Sequence, residues 1–174
     1  MRAFFVLIII ITILPACNPF APTLVDDESI IGGFTVTDQA SPRDVLVNFR
    51  YAYVFKDSLI YSDLLDSSFI FISTNYATNP PSDILWGRDK DIRTTIGLFR
   101  RFNSLDLTWG DNFLNDSTLY NYSDSLNSNV IITFQLTLDG GQDIPTLKGE
   151  VFFSFKKQSS GRWRITRWED LSSF

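Results

Sequence analysis

The chain of 174 residues contains no histidine and a single cysteine. Without histidine, it lacks the commonest general base and metal ligand of proteins. One cysteine cannot form an internal disulfide, and it excludes every metal site that needs several thiolates. We therefore expect no metal and no cofactor, and any acid–base chemistry would have to use carboxylates and phenols.

Basic residues are also scarce, with 15 Lys and Arg against 20 Asp and Glu and a formal charge of −5. Proteins that bind nucleic acid need clustered positive charge to hold the phosphate backbone, so this balance argues against such a partner. The remaining composition, 44% apolar and 20% charged, is typical of a folded domain. A chain of this length can bury one hydrophobic core without disulfides or metals.

A run long enough to span a bilayer is missing as well. The apolar run over residues 3–14 is shorter than the about 20 residues that a membrane-spanning helix needs. Its length matches the apolar core of a signal peptide, and Arg2 supplies the positive flank in front of it. The sequence therefore predicts a signal peptide over residues 1–16.

The segment Leu14-Pro15-Ala16-Cys17 follows this run. It resembles the lipobox of bacterial lipoproteins, in which a small residue precedes a cysteine that is lipidated and becomes the first residue of the mature chain. The resemblance implies a lipid anchor at Cys17, which is stable when two or three acyl chains each contribute about 0.8 kcal/mol per buried methylene. Asn18 stands where an inner-membrane retention signal usually has Asp, so the resemblance favours the outer membrane. An uncleaved anchor, or an ordinary signal peptide with a chance cysteine, is the alternative.

The rest of the chain divides into a tether and one domain. Residues 17–40 mix prolines, an acidic triplet and a glycine pair without helical or strand periodicity, which predicts a flexible tether after the lipidated cysteine. The domain is predicted over residues 41–174. It opens with Ser41, Pro42 and Asp44, which form a typical helix start.

Hydrophobic periodicity changes from helical to alternating near residue 104. Residues 75–88 are predicted to be a loop, and a polar stretch rich in Asn, Asp and Ser covers 110–129. The predicted helices cover about 42–56, 57–65 and 89–102, and the predicted strands cover about 68–73, 105–109, 130–138, 147–155 and 162–170.

This order of elements resembles the cone-shaped superfamily that contains nuclear transport factor 2, ketosteroid isomerase and scytalone dehydratase. The resemblance rests on the element order and on residues 41–44, 57–61 and 161–170. It implies an α+β fold in which three helices from the N-terminal half pack on the concave face of a curved antiparallel sheet. An all-β sandwich or barrel in the second half is the alternative, but the amphipathic helical segments before residue 104 disfavour it.

Enzymes resembling ketosteroid isomerase use a tyrosine of the first helix as a donor and a carboxylate near the first strand as a base. Tyr51, Tyr53 and Asp66 lie in roughly those elements and are weak catalytic candidates by this resemblance. A packed tyrosine and a turn aspartate are the favoured alternative for them. The dehydratase-like combination of His with Asp is absent, since the chain has no histidine.

Aromatic residues are the remaining candidates for a site. An apolar pocket between helices and sheet could be lined by Trp86, Phe99, Trp109, Trp163 and Trp168. Filling the core is the more usual role of such side chains, because each buries 150–250 Å².

Together these features predict a lipid-anchored protein of the cell envelope whose domain is a non-catalytic binding or assembly module. The expected partners are the membrane, through the lipid, and a second copy or another envelope protein. A small apolar ligand is a further candidate, and no nucleic acid is expected. The alternative function is a small-molecule isomerase, lyase or hydrolase that uses Tyr and Asp in the pocket. A closed aromatic interior would argue against the enzyme, whereas a cavity with a desolvated Asp beside a Tyr would favour it.

Overall fold

The computed structural model describes residues 35–110, 113, 120–141 and 143–172. The signal peptide, Cys17 and most of the tether therefore lie outside the described residues. The helices in the described ranges are α1 (Pro42–Val54), α2 (Ser58–Leu64) and α3 (Arg88–Arg101). The strands there are β1 (Leu65–Asn75), β2 (Ser82–Gly87), β3 (Leu105–Trp109), β4 (Tyr120–Ser123), β5 (Asn127–Leu138), β6 (Leu147–Lys157) and β7 (Trp163–Asp170). Within these ranges, no helix combines the length and apolar character that crossing a membrane requires.

The seven strands form one sheet in the order β2-β1-β7-β6-β5-β3, with β4 paired to the other half of β5. All neighbouring pairs are antiparallel except β1 and β7, which run parallel. The parallel pair arises because β7 closes the meander beside the first strand, and its direction is already set by its hairpin with β6. The structure confirms three helices on a curved sheet, and it shows that this sheet is mixed. The strands of the second half join β1 and β2 in this open sheet, which excludes a separate sandwich or barrel in the described residues.

The start of α1 is fixed by a reciprocal cap. The Asp44 backbone N–H donates to Ser41 Oγ at 3.1 Å, and the Ser41 backbone N–H donates to Asp44 Oδ2 at 3.0 Å. Pro42 occupies the first helical turn, where its missing N–H costs no hydrogen bond. Such caps stabilise a helix by about 1 kcal/mol, so the predicted helix start is confirmed with its physical cause.

The ordered packing begins before this cap. Asn48 is buried in α1, and its side chain exchanges hydrogen bonds with the backbone of Thr37, at 2.8 Å from the Thr37 N–H and 2.9 Å to the Thr37 carbonyl. The Trp163 backbone N–H donates to the Gln39 carbonyl at 2.8 Å. Residues 37–39 are therefore fixed on α1 and β7, although their sequence has no periodicity.

The predicted loop over 75–88 is wrong in part, because a strand occupies it, and strands also occupy the end of the polar stretch 110–129. β2 lies within 75–88, where it pairs only with β1 and leaves most of its side chains exposed. A strand whose side chains are mostly exposed shows no regular alternation of buried apolar and exposed polar residues, so its sequence gives no strand signal. β4 and the first residues of β5 occupy the end of 110–129 for a similar reason, since they are rich in Asn and Ser.

The core lies between α1, α2 and the concave face of the sheet. Phe49 of α1 is at its centre and is 2% exposed. Its ring centroid lies 4.9–5.7 Å from five other aromatic rings, namely Tyr53, Tyr61, Trp109, Phe153 and Trp168. The aromatic residues therefore fill much of the cone, as the packing alternative predicts, and a space remains beside them under α3.

Candidate functional site

A cavity of about 210 Å³ lies between α3 and the concave face of the sheet. Its walls include five aromatic side chains, Tyr53, Phe71, Trp86, Phe134 and Trp168. Asp91 lies at its inner end and is 3% exposed, whereas the exposed Thr94 of α3 and the half-buried Asp170 of β7 mark its outer end. A hollow of about 40 Å³ lies deeper and shares four lining residues with the cavity, namely Tyr53, Phe134, Val151 and Trp168.

A larger depression of about 560 Å³ lies on the outer surface at the start of α3. It is broad and is lined by hydroxyl groups of Ser67 and Ser68 and by charged side chains of Arg88, Lys90 and Arg93. The interior cavity holds the buried titratable groups instead. Because perturbed titratable groups in a cleft indicate functional sites, the interior cavity is the better candidate.

Asp91 is a buried carboxyl that accepts hydrogen bonds from two side chains. The Tyr61 phenol donates to Asp91 Oδ2 at 2.5 Å, and the Trp86 indole N–H donates to Asp91 Oδ1 at 3.0 Å. Burial raises the pKa of Asp91 above its usual value, while the hydrogen bonds from Trp86 and Tyr61 oppose that rise. The carboxyl is thus desolvated and held in a fixed orientation beside a tyrosine.

Tyr53 and Tyr61 extend this polar cluster along α1 and α2. Burial is the largest cause that raises the pKa of Tyr53, and the negative charge of Asp91 raises it further, against hydrogen bonds with Thr95 and Tyr61. Burial is also the largest cause that raises the pKa of Tyr61, and electrostatic interactions with Tyr53 and Asp91 raise this pKa further. Both phenols therefore keep their protons at neutral pH, and the Tyr61 phenol donates its proton to the hydrogen bond with Asp91. Thr95, Tyr53, Tyr61, Asp91 and Trp86 together form the polar cluster, in which Tyr61 and Trp86 donate to Asp91 while Tyr53 and Thr95 lie beside them.

Trp168 presents a buried donor that is not satisfied. Its indole Nε1 has no hydrogen-bond partner among the described residues, although Trp86 donates to Asp91 and Trp109 donates to the Leu46 carbonyl at 3.1 Å. Trp168 lines both the cavity and the deeper hollow. A buried donor without an acceptor destabilises the folded protein by about 1–3 kcal/mol. A ligand that offers an acceptor atom to Trp168 would therefore bind more tightly.

Three of the five predicted pocket residues line the two spaces, two of them in the larger cavity and a third in the deeper hollow. Trp86 and Trp168 line the larger cavity, and Trp109 lines the hollow. Phe99 is buried behind the cavity, where its ring packs edge-on against Tyr53 at 5.3 Å. Trp163 is buried in β7 and is not among the residues that line either space.

The catalytic candidates are not brought together. Tyr53 lines the cavity, but Tyr51 is half-buried with its ring centroid 4.5 Å from that of Phe55. Asp66 lies at a register shift of β1, where it accepts hydrogen bonds from the backbone and side chain of Ser68 and from Gln158. Desolvation raises the pKa of Asp66, but these hydrogen bonds and the charge of Lys156 outweigh it and leave the pKa lowered.

Tyr61, Asp91 and Thr95 of the polar cluster are not among the site residues that the sequence predicts, whereas Tyr53 and Trp86 are. Asp91, Thr95 and Phe99 follow one another at intervals of four and share the buried face of α3. The apolar Ile92 and Ile96 of the same helix are only half-buried. The sequence signal that could have located this polar face is the spacing of four residues between Asp91, Thr95 and the core residue Phe99. No group of His, Cys, Asp and Glu in the described residues could hold a metal ion.

No protein-family model matches the chain, and no curated protein sequence matches it significantly. Solved structures do match. A proposed scytalone dehydratase from Novosphingobium aromaticivorans DSM 12444 has a TM-score of 0.58 and 15% identity, over 75% of this chain and 80% of that one. A conserved protein from Planctomyces limnophilus DSM 3776 has a TM-score of 0.56 and 14% identity, over 73% and 89% of the two chains.

A third match carries the fold in its name. The structure named "Rd1NTF2_04 with long sheet" has a TM-score of 0.51 and 14% identity, over 75% of this chain and 99% of that one. Such identities establish the fold alone. The domain therefore has the nuclear transport factor 2-like α+β fold that its element order resembles.

Proposed function

We propose that this protein is a lipoprotein of the cell envelope whose domain binds a small, largely apolar molecule in the cavity under α3. In this proposal residues 1–16 are removed, Cys17 carries the lipid, and residues 41–174 form the binding domain. Asn18 favours attachment to the outer membrane over the inner one. Assembly with a second copy or an envelope protein is the other role proposed for such a module.

Binding in the cavity is supported above all by the unsatisfied Nε1–H of Trp168, which lines the cavity and lacks an acceptor among the described residues. The aromatic walls favour an apolar body for the ligand, since they supply large apolar contacts. The cavity of about 210 Å³ is smaller than the range of about 300–1,000 Å³ typical of drug-sized ligands. We therefore expect a compact ligand with one acceptor atom.

A cavity-filling substitution tests this binding. Leu98 is a half-buried wall residue on α3, so Leu98→Trp should fill the cavity and abolish binding of small apolar fragments detected by ligand-observed NMR with the purified full chain. Ile96→Trp is the matched control, because Ile96 is half-buried on the same helix but lines a different depression. Binding by the wild type and the control, with loss in Leu98→Trp, supports the proposal. Equal binding by all three proteins contradicts it.

The lipid attachment has its own test. Cys17→Ser should stop lipidation, so the protein should leave the membrane fraction or keep its signal peptide, and the mass of the acyl chains should disappear. Asn18→Ser is the control, because it leaves the cysteine in place. Unchanged membrane fractionation and unchanged mass in Cys17→Ser would refute lipidation.

Asp91 supports a second candidate function, a small-molecule isomerase, lyase or hydrolase. Its carboxyl is desolvated beside Tyr61, and Asp170 offers a second carboxylate at the outer end of the cavity. In such a reaction, Asp170 would accept a proton while Trp168 and Tyr53 stabilise negative charge on an oxygen. Both Asp91 oxygens are already engaged by Tyr61 and Trp86, which favours binding over catalysis. NMR of a bound ligand distinguishes the two, since an enzyme converts it at a rate that Asp170→Asn reduces, whereas a binding protein returns it unchanged.

A further inference from the structure

We infer that the ligand of the cavity under α3 is a small organic ammonium ion that also carries an oxygen acceptor. This inference rests on the proposed binding function and specifies the charge of the molecule that is bound. It combines three features of the cavity, which are its buried acid, its aromatic walls and the position of its unsatisfied donor.

The charge of the lining residues is one-sided. Asp91 and Asp170 are acidic, and no Lys or Arg is among the described residues that line the cavity. Asp91 is 3% exposed and makes no ion pair with any residue in the described part of the chain. A buried carboxylate without a cation is costly, and the neutral donors Tyr61 and Trp86 compensate its charge only in part. A bound cation would complete this compensation.

The walls of the cavity suit such a cation. Trp168 stands at 83° to Phe71, with the ring centroids 5.2 Å apart, so the two rings form a corner. Aromatic faces attract ammonium groups, and this attraction increases when the site excludes water. Trp86, another wall residue of the cavity, already contacts one ammonium group of the protein, because Lys90 Nζ lies 4.9 Å from its ring centroid.

The unsatisfied donor defines the second part of the ligand. The Trp168 Nε1–H requires an acceptor, which an ammonium group cannot provide. A hydroxyl or carbonyl oxygen near the ammonium group would accept this hydrogen bond. The cavity volume of about 210 Å³ is far above the roughly 10–15 Å³ that a single water requires, and it is adequate for a compact amino alcohol.

Two probes that differ only in charge test the inference. Choline has a trimethylammonium group and a hydroxyl, and 3,3-dimethylbutan-1-ol replaces its nitrogen by carbon. The purified full chain is titrated with each probe at the same ionic strength, and binding is followed by calorimetry and by tryptophan fluorescence. We expect choline to bind about 5- to 30-fold more tightly than the neutral isostere, as a partly desolvated cation–π and carboxylate contact predicts.

Charge-removing variants locate the effect. Asp91→Asn and Asp170→Asn should each reduce the preference for choline by about 5-fold or more and leave binding of the isostere within about twofold. Asp89→Asn is the matched control, because the Asp89 side chain is 84% exposed on the same helix and lies outside the cavity. Asp170→Asn provides the answer if Asp91→Asn fails to fold, since Asp170 is only half-buried.

The outcomes separate this inference from the proposed function. Equal or tighter binding of the isostere overturns the ammonium ligand and leaves cavity binding intact. The same holds if neutral fragments bind but choline does not. If neither choline nor any neutral fragment binds, both proposals fail. A choline preference that persists in both Asn variants also overturns the inference, because the binding site would then lie elsewhere.

Discussion

Removing the Tyr61 hydroxyl should destabilise the domain by an amount that depends on pH. The hydroxyl donates to Asp91 at 2.5 Å in a fully buried environment, so Tyr61→Phe leaves one carboxyl oxygen without this donor. A hydrogen bond to a charged group contributes about 1.5–3 kcal/mol, whereas one between neutral groups contributes about 0.5–1.5 kcal/mol. The loss should therefore be about 1 kcal/mol when Asp91 is protonated and about 2–3 kcal/mol when it is ionised.

The sign follows from the raised pKa of Asp91. The folded state keeps its proton on Asp91 at pH values where the unfolded chain has lost it. The contribution of Asp91 to stability is thus fully present below the unfolded value of about 3.9 and decreases as the pH rises through the folded pKa. Tyr61→Phe raises this folded pKa further, because the hydrogen bond from Tyr61 lowers it in the wild type. The difference in stability between the two proteins should therefore increase from pH 3.5 to pH 7.

Urea unfolding at several pH values measures this difference. Tyr51→Phe is the control, since Tyr51 lies on α1 outside the polar cluster, and it should change the free energy of unfolding by less than about 0.5 kcal/mol at every pH. When Asp91→Asn is present in both proteins, the loss of stability caused by Tyr61→Phe should no longer depend on pH. A loss in Tyr61→Phe that is the same at pH 3.5 and pH 7, or one equal to the control, would refute the reasoning.

Three further predictions concern other parts of the domain. Ser41→Ala removes the reciprocal cap and should lower the free energy of unfolding by about 1 kcal/mol in urea, and no change would contradict the role of the cap. An NMR titration of Asp124 should give a pKa of about 2, because the Tyr122 hydroxyl and neighbouring backbone N–H groups stabilise its charge; a midpoint near 4 would be inconsistent. Phe49→Ala should lower the free energy of unfolding by about 3–5 kcal/mol, whereas Leu59→Ala should lower it by less than about 0.5 kcal/mol, because Leu59 is 80% exposed. Similar losses in the two variants would disprove the assigned core.

The fold was largely predictable because its main signals are local. Ser41, Pro42 and Asp44 specify the start of α1 through their own backbone and side-chain groups. The alternating residues of β5, β6 and β7 have one buried face, so their period of two is visible in the sequence. β2 was missed because its side chains are mostly exposed, and the parallel neighbour of β1 follows from tertiary pairing that no local pattern encodes.

The candidate site was harder to predict, because it depends on which face of α3 points inward. Asp91 and Thr95 occupy the buried face of α3 while the apolar Ile92 and Ile96 are only half-buried, and Asp91 obtains its partners from α2 and β2. Asp66 was selected for its position near the first strand, but its hydrogen bonds are made within its own register shift and with Gln158. A buried polar residue is stabilised by partners far away in sequence, and these become evident only in three dimensions.

The indole N–H resonance of Trp168 provides the most direct test of ligand binding in the cavity. Nitrogen–proton correlation spectra of the purified full chain would be recorded during titration with a bound fragment or choline, with the resonance assigned through Trp168→Phe. We expect the Trp168 resonance to move downfield as the N–H gains an acceptor, while that of Trp163, which lies outside both cavities, stays in place. A Trp168 resonance that does not move while ligand binds, or that moves no more than that of Trp163, would contradict the account.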